Sequence, residues 1–335
     1  MSMPTVSVAL CTHNGARFVV EQLTSILRQS LLPDEIVVSD DASTDNTVAL
    51  VRATLVEFQK SQPDSKLALR VLQNPEPLGV AKNFEQAILS CTSELVALCD
   101  QDDVWAVGKL ARMSATFAER PILVLLHSNA RLVDESGATL PGTLFSALEV
   151  SSEALTAVHS GNAFSALMRR NLVTGATTIV RSSFAKAVSP FPDGWVHDEW
   201  LAVAASVLGQ MDVLEETLID YRQHGTNQIG VAKLSVEGKF RRMLEPGRAR
   251  NRRLLTRATA LLDRFEKLGG QVPEHQMAIV RAKLEHEQVR SSLPPSRIAR
   301  ILPVLRELRT GRYTTFGRGP SDAARDLFQP LKAPR

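Results

Sequence analysis

The stretch VALCDQDDVW, residues 96–105, consists of an apolar strand-like run that stops abruptly at Asp100-Gln101-Asp102-Asp103. A helix is predicted to begin at Trp105. Parallel strands in open α/β sheets present their carboxyl ends to ligands, and carboxylates clustered there repel one another unless a divalent cation neutralises them. One carboxylate, at Asp102 or Asp103, would be enough to cap the helix, which is the structural alternative. The three carboxylates together favour a site for a metal ion and a diphosphate.

Predicted strands and helices alternate along the first part of the chain, as is typical of a largely parallel sheet covered by helices. The strands cover residues 6–10, 35–40, 67–74 and 94–100, and the helices between them cover 16–30, 46–59 and 80–91. Polar residues follow each strand, namely Thr12 to Gly15, Asp40-Asp41, Asn74 and Asp100 to Asp103. If the strands are parallel, all these residues lie along one edge of the sheet.

The second part of the chain has weaker patterns. Residues 134–175 are predicted to form loops over the site, because they are rich in Gly, Ser and Ala without strong periodicity. The segments that follow are predicted as a strand running into a helix (175–188), a helix (197–209) and a strand leaving into a loop (217–230). Helical spacing resumes beyond Val231, with breaks at Gly269-Gly270, Pro273 and Pro294-Pro295.

The net charge of +3 over 335 residues conceals an asymmetry. Residues 1–232 hold 16 Lys and Arg against 26 Asp and Glu, whereas residues 233–335 hold 23 against 10. A basic segment of this kind favours an anionic partner, and we expect the anionic face of a membrane and not nucleic acid. A solvated helical face rich in arginine is the ordinary alternative.

Other features of the composition point to the cytoplasm. No apolar run approaches the ~20 residues that span a bilayer, and the first residues lack the basic and long apolar regions of a signal peptide. Cys11, Cys91 and Cys99 lack C-x-x-C spacing, so we expect neither disulfides nor a thiolate zinc site. These features predict a soluble cytoplasmic protein.

Six stretches together resemble family 2 glycosyltransferases of the GT-A fold. They lie in the family's order between residues 6 and 230 and read VSVALCTHNGARFVVEQLTSILRQS, DEIVVSDDASTDNT, NPEPLGVAKNFEQAI, LVALCDQDDVW, HDEW and YRQHGTNQIG. CDQDDVW together with YRQHG-x-N is similar to the rhamnosyltransferase-like branch, which acts in bacterial surface polysaccharide synthesis. The resemblance implies a GT-A catalytic domain over residues 1–232, with its nucleotide-sugar half at about 1–130 and its acceptor half at about 131–232. Residues 233–335 would be a basic helical extension.

The resemblance also implies a metal site. In the family, a D-x-D element holds the cation and touches the ribose, and this element corresponds to Asp100 and Asp102. Asp103 is either an extra ligand or a cap. His224, in the YRQH element, is either a metal or diphosphate ligand or a structural histidine. Mg²⁺ or Mn²⁺ is expected, because both accept oxygen ligands and share their coordination with phosphates.

By the same resemblance, the nucleoside of the donor meets Thr12 and the backbone of His13 and Asn14. Asp41 would accept a hydrogen bond from the base, and a carboxylate can accept from the imide N–H of uracil or thymine. The alternative for Asp40 and Asp41 is an Asx turn that leads into the next helix. Two adjacent acids exceed what that turn needs, which favours the ligand role for Asp41.

Asp198 is the candidate general base, because an inverting transfer needs one carboxylate to take the proton of the acceptor hydroxyl. It matches the family's acidic position, although HDEW stands where the family more usually has an ED pair. Asp198 and Glu199 therefore compete for the role, and an N-cap aspartate is the structural alternative. The tryptophans are expected in the core or in the wall of the acceptor site; they are Trp105, Trp195 and Trp200.

These residues predict an inverting, metal-dependent glycosyltransferase. It would move a hexose, with rhamnose as one candidate, from a dTDP- or UDP-sugar to a polysaccharide or lipid-linked oligosaccharide at the cytoplasmic face of the inner membrane. The motifs G-x-x-x-x-G-K-[ST] and G-x-G-x-x-G are absent, so the metal would hold most of the diphosphate. A sugar-1-phosphate nucleotidyltransferase would need a loop rich in Gly and Arg where this chain has CTHNGARF. A non-catalytic sugar-nucleotide-binding module is the third hypothesis, which the complete set of acids disfavours.

Overall fold

The computed structural model describes residues 3–224 and 247–330, which belong to two units. Of the described residues, the sheet unit comprises 3–163, 172–191 and 196–224. The helical unit comprises residues 164–171, 192–195 and 247–330. The predicted domain boundary between residues 232 and 233 lies outside the described residues and stays a prediction.

The sheet unit is built on a mixed β-sheet. Its strands are β1 (Val6–Thr12), β2 (Glu35–Asp40), β3 (Ala68–Gln73), β4 (Leu95–Cys99), β5 (Val104–Trp105), β6 (Leu123–Val133), β7 (Thr139–Thr143), β8 (Thr178–Arg181) and β9 (Gln210–Arg222). The order across the sheet is β3-β2-β1-β4-β8-β6-β9-β5, and β7 pairs with β6. Strands β1 to β4 are mutually parallel, β8 is antiparallel to both of its neighbours, and β6 and β9 are again parallel.

Helices cover this sheet. They are α1 (Val19–Leu27), α2 (Thr47–Ser61), α3 (Val80–Ser90), α4 (Lys109–Glu119), α5 (Leu144–Ala147), α6 (Ser152–His159), α8 (Ser182–Ala187) and α9 (His197–Leu208), whereas α7 (Ala163–Arg169) belongs almost wholly to the helical unit. The buried side of α1 carries Val19, Leu23, Ile26 and Leu27, which belong to the same apolar cluster as β1, β2 and β4. Helical spacing of apolar residues buries that side, as the sequence predicts.

The four predicted strands of the first half are confirmed, and so is the α/β class. Because β1, β2, β3 and β4 are parallel, the polar residues that follow them share one edge of the sheet. The helix predicted to begin at Trp105 is wrong. Val104 and Trp105 pair with β9 as a short strand, and the N–H of Trp105 donates to Ser25 Oγ, so α4 begins only at Lys109.

Two further predictions need correction. Residues 134–175, expected as loops, contain β7 and the short helices α5, α6 and α7, which begin at side-chain caps such as Thr143 and Ser151. Strand β6 was not predicted, and β9 begins at residue 210 and not at the predicted residue 217. β7 and the three helices are short, and β6 is buried on both faces, so these elements lack the alternation that identifies an amphipathic strand, whereas β9 is interrupted by the exposed residues Glu215 to Thr217.

The described part of the helical unit contains α10 (Gly247–Leu268), α11 (Glu274–Ser291), α12 (Arg297–Arg309), α13 (Arg312–Phe316) and α14 (Pro320–Phe328). The breaks predicted at the Gly and Pro residues are confirmed. A buried ion-pair network crosses this unit: the guanidinium of Arg290 lies 2.7 Å from Asp326 and 3.2 Å from Glu287. Among the described helices, none is both long and apolar enough to span a bilayer.

Candidate active site

The first polar cluster joins the ends of β1 and β2. Thr12, the last residue of β1, donates from Oγ1 to Asp40 Oδ1 at 2.7 Å. The Asp40 carboxylate also accepts the N–H of Ser43 at 3.0 Å and the hydroxyl of Ser43 at 2.6 Å. Asp40 therefore forms the Asx turn for which both Asp40 and Asp41 were candidates.

Asp41 has a different set of contacts. Its carboxylate accepts the N–H groups of Leu78 at 2.6 Å and Gly79 at 2.9 Å, and its own N–H donates to the carbonyl of Thr12 at 2.8 Å. The residue is buried and joins β1, β2 and the start of α3. A carboxylate has about four lone-pair positions, so two remain for a ligand.

Gln101, between Asp100 and Asp102, fastens the acidic loop to the loop after β1. The N–H of His13 donates to Gln101 Oε1 at 2.8 Å, and Gln101 Nε2 donates to the carbonyl of His13 at 3.0 Å. A Cβ at Gly15 would overlap this amide, so a side chain at position 15 would displace Gln101 from its bonds to His13. Gln101 was not predicted as a site residue. The one feature of the sequence that pointed to it is its position between Asp100 and Asp102.

Asn14 holds the same loop against the turn after β2. Its φ is 48°, in the left-handed region that Asn tolerates better than most residues. Its N–H donates to Ser43 Oγ at 2.8 Å, and its Oδ1 accepts the N–H of Thr44 at 2.9 Å. Through Asn14 and Gln101, the loop after β1 is attached on both sides to the polar edge of the sheet.

The acidic loop itself concentrates negative charge. Burial, together with the charges of Asp102 and Asp198, raises the pKa of Asp100 to about 7. Burial and the charges of Asp102 and Asp100 raise the pKa of Asp103 well above its usual value. Asp103 Oδ1 accepts the N–H of Arg222 at 3.0 Å, whereas Oδ2 is buried without a hydrogen-bond partner in the described part of the chain. None of these acids caps α4, whose N-cap is Gly108.

Two buried cations that sequence reasoning did not single out lie at this loop. Lys109 Nζ donates to the carbonyl of Ala176 at 2.9 Å and lies 3.6 Å from the ring centroid of Trp105. Burial lowers the pKa of Lys109 to about 7, while the charges of Cys99, Asp103 and Asp100 oppose that shift.

The second cation, Arg222, spans several segments. It donates from Nε to the carbonyl of Asp102 at 2.8 Å, from Nη1 to the carbonyl of Glu135 at 3.0 Å, and from Nη2 to Glu21 Oε2 at 2.7 Å. Arg222 lies in the YRQH element, and this position is the feature of the sequence that could have identified it.

His224 reaches the acidic loop. Its Nε2 lies 2.7 Å from Asp102 Oδ2, and its ring stacks on Phe18 with the centroids 4.9 Å apart. The structure therefore brings together two residues that were predicted as metal ligands from distant parts of the chain. The rest of this element, including Gly225 and Asn227, lies outside the described residues.

Asp198 lies in the first turn of α9, whose N-cap is Val196. Its Oδ2 accepts the N–H of Gly175 at 2.9 Å, and its Oδ1 accepts the N–H of Glu199 at 2.6 Å. These two bonds orient the carboxylate. Because the charge of Asp198 raises the pKa of Asp100, the two acids belong to one electrostatic site. Glu199 follows in the same turn and is partly buried.

The neighbouring aromatic residues are structural. The ring of His197 stacks on Phe84 with the centroids 3.8 Å apart, and burial lowers its pKa to about 3, which keeps it neutral. All three tryptophans are buried. Trp200 Nε1 donates to the carbonyl of Val188 at 3.1 Å, and Trp195 Nε1 donates to the carbonyl of Arg257 at 3.0 Å, within the helical unit. These contacts favour core roles.

The carboxylates at the acidic loop suit a divalent cation that is bound partly by the protein and partly by a ligand. Among the described residues, no group of three or more His, Cys, Asp or Glu side chains is placed so that it could hold a metal ion. Mg²⁺ is usually bound by one or two carboxylates, with waters and substrate phosphates filling the other positions. The unpartnered oxygen of Asp103 and the mutual repulsion of Asp100, Asp102 and Asp198 are the features that a cation would relieve.

The fold and this arrangement of acids define a glycosyltransferase of the GT-A fold. The model of the family described as glycosyl transferase family 2 matches residues 7–173, and the chain belongs to that family. The dTDP-rhamnosyl transferase RfbG of Shigella flexneri is 27% identical over 248 residues, which cover 70% of this chain and 78% of that protein. This chain spans 59% to 68% of the length of three other curated relatives.

Two solved structures share the fold. TarS of S. aureus, residues 1–349 in complex with UDP-GlcNAc, has a TM-score of 0.57 at 16% identity, covering 96% of this chain and 88% of that one. The mannosyltransferase PcManGT of Pyrobaculum calidifontis, in complex with GDP-Man and Mn²⁺, has a TM-score of 0.53 at 20% identity, covering 97% and 79%. At these identities the likeness establishes the fold alone.

Proposed function

We propose that this protein is an inverting, metal-dependent hexosyltransferase that uses a dTDP- or UDP-linked donor, with rhamnose as the leading sugar. The single observation that carries the proposal is the contact of His224 Nε2 with Asp102 Oδ2 at 2.7 Å, within the acidic loop at the carboxyl edge of the parallel strands. The similarity to a dTDP-rhamnosyl transferase supports the donor.

In this proposal Asp100 and Asp102 hold Mg²⁺ or Mn²⁺, and His224 is the third protein ligand or a partner that orients Asp102. The bound cation offsets the negative charge that builds up on the departing diphosphate. Arg222 holds the acidic loop through its bond to the backbone carbonyl of Asp102, and Lys109, bonded to the carbonyl of Ala176, lies close enough for its charge to act on Asp100 and Asp103. The loop then needs no rearrangement to receive a donor.

The nucleoside of the donor lies against the loop after β1. Thr12 and Asn14 shape its surface, Asp41 accepts from the base with its remaining lone pairs, and Asp100 contacts the ribose. The attachments of Gln101 to His13 and of Asn14 to Thr44 support this role, because they hold the nucleoside surface and the acidic loop in one rigid group.

Asp198 is the proposed base. It removes the proton of the acceptor hydroxyl while that oxygen attacks the anomeric carbon from the face opposite the diphosphate. A new C–O bond forms, the bond from the sugar to the diphosphate breaks, and the proton stays on Asp198. The N–H groups of Gly175 and Glu199 orient this carboxylate, which favours Asp198 over Glu199.

The acceptor in this proposal is a polysaccharide or a lipid-linked oligosaccharide at the cytoplasmic face of the inner membrane. The excess of Lys and Arg over Asp and Glu in residues 233–335, 23 against 10, supports peripheral contact with anionic lipid. The enzyme would then meet membrane-bound acceptors in two dimensions.

The test is transfer or hydrolysis of radiolabelled dTDP-rhamnose and UDP-hexoses with Mn²⁺, with Mg²⁺ and with EDTA. We expect activity with metal, its loss in EDTA, and its loss in Asp102→Asn and in Asp198→Asn. Asp64→Asn, an exposed acid before β3, is the matched control and should retain full activity. Full turnover in EDTA would refute metal dependence. Pyrophosphate release from a nucleoside triphosphate and a sugar 1-phosphate would establish the nucleotidyltransferase instead.

A further inference from the structure

Helix α12 exposes a stripe of large aliphatic side chains. Ile298 is 81% exposed, Leu302 55%, Ile301 47% and Leu305 44%. Their spacing of three and four residues puts them on one face of the helix, over about two turns. We refer to these four residues as the aliphatic stripe. Aliphatic residues that are exposed together on one helix face indicate a surface for binding.

The opposite face of α12 is fixed in the helical unit. Val304 packs in an apolar cluster with Leu293 and Tyr313, and Arg300 and Glu307 are also buried on this side. Arg300 donates to the carbonyl of Gln329 at 2.7 Å and to that of Pro294 at 2.8 Å. The helix is therefore held in one rotational setting, with the aliphatic stripe directed away from the core.

Arginines border the stripe. At 100° per residue, Arg297 and Arg306 lie on its two sides, each about 90° from its centre, and Arg309 follows in the last turn. All three are exposed, whereas Glu307, the acidic residue of α12, is buried. An apolar face flanked by a basic residue on each side is an arrangement found in helices that lie in the plane of a membrane interface.

We infer that the aliphatic stripe of α12 inserts into the headgroup region of an anionic bilayer while Arg297, Arg306 and Arg309 bind lipid phosphates. The inference rests on the membrane contact proposed above and specifies the residues that enter the lipid. Charge alone would give adsorption that salt screens, whereas the buried aliphatic area adds attachment that salt does not weaken.

The charges favour lipid over a second copy of this chain. In a two-fold contact between two α12 helices, the arginine borders of one copy would face those of the other. The described part of α12 offers no exposed acid to pair with them. Phosphate oxygens of lipid headgroups pair with guanidinium groups through charge-assisted hydrogen bonds.

The experiment uses the full chain and two kinds of vesicle, phosphatidylcholine alone and an equal mixture of phosphatidylcholine and phosphatidylglycerol. Co-sedimentation is measured at low and high potassium chloride for wild type, for Ile298→Asn/Leu302→Asn and for Val56→Asn/Ile122→Asn. The last variant removes two exposed aliphatic residues from the sheet unit and is the matched control. Thermal unfolding of each variant checks that the helical unit remains folded.

We expect wild type and control to bind the mixed vesicles, with part of the binding surviving high salt. The stripe variant should bind at least about tenfold more weakly and lose the salt-resistant part. In Leu305→Trp, tryptophan emission should shift to the blue on adding mixed vesicles. Equal binding by the stripe variant and wild type, or no blue shift, would overturn the inference while leaving the membrane contact in place.

Absence of binding by wild type would remove both the inference and the membrane contact. Donor hydrolysis, measured without vesicles, should be equal in all these variants, so a failure of the proposed catalytic function is seen separately. If sedimentation velocity without lipid showed a dimer that Ile298→Asn/Leu302→Asn converts to a monomer, the stripe would be a contact between copies and the inference would be wrong.

Discussion

The imidazole Nε2 of His224 lies 2.7 Å from Oδ2 of Asp102, across 122 positions of sequence. This contact joins the end of β9 to the acidic loop after β4. The stacking of His224 on Phe18 fixes the plane of the ring, so the imidazole can orient the carboxylate of a metal ligand or bind the metal itself.

His224→Gln is expected to weaken metal activation. Loss of a ligand, or of a partner that orients one, typically lowers metal affinity by about 10- to 100-fold. The measurement is the Mn²⁺ concentration for half-maximal transfer, with His275→Gln, an exposed histidine on α11, as the control. An unchanged Mn²⁺ requirement in His224→Gln would mean that this histidine is only structural.

Arg222→Met is expected to destabilise the sheet unit. The substitution leaves the part-buried carbonyls of Asp102 and Glu135 without these donors, and we expect a loss of about 1–3 kcal/mol in the free energy of unfolding. The free energy of unfolding is measured in urea. Arg17→Met, at an exposed ion pair with Glu135, should change it little. Equal losses in the two variants would contradict the role given to Arg222.

Gly15→Ala should disturb the acidic loop, because the added methyl group overlaps the amide of Gln101. We expect a loss of about 1–3 kcal/mol in unfolding free energy, together with reduced activity. Gly15→Ala/Gln101→Ala removes the overlap and should recover part of the stability. Gly108→Ala, where a Cβ meets nothing within 4 Å, is the control. If the double variant were less stable than the sum of the single changes, steric overlap would not be the cause.

Buried neutral histidines should make the protein sensitive to acid. Burial lowers the pKa of His127 to about 4 and that of His197 to about 3, against about 6.5 in the unfolded chain. Above pH 6.5 both states are neutral, so stability there does not depend on these groups. Below it only the unfolded chain binds the protons, and each histidine removes about 1.4 kcal/mol of stability per pH unit.

His127→Leu should therefore make the unfolding free energy less dependent on pH between about 6.5 and 4, lowering the slope by about 1.4 kcal/mol per pH unit. Urea unfolding at a series of pH values gives the slope for wild type and variant. His275→Gln removes an exposed histidine and should leave the slope unchanged. Parallel curves for wild type and His127→Leu would show that His127 titrates normally in the folded protein.

Much of the fold could be predicted from local pattern. The strands β1, β2 and β4 contain buried apolar runs bounded by polar residues, and α1 shows its buried side in the spacing of Val19, Leu23 and Ile26. The short pairing of Val104 and Trp105 could not be predicted, because the partner of Trp105 is Ile219, far along the chain. Strand β6 was missed because burial on both faces removes its alternation.

The chain's own pattern was sufficient for the α/β class and the parallel edge, because the apolar strands and the polar residues that end them are neighbours in sequence. The family came from the resemblance of six stretches to family 2 glycosyltransferases. The partners of the acidic residues had to come from tertiary structure. Gln101 meets His13 across 88 positions, and Asp103 meets Arg222 across 119. Nothing local in a sequence specifies which loops face each other at the edge of a sheet; the order of the strands and the packing of the helices bring them together.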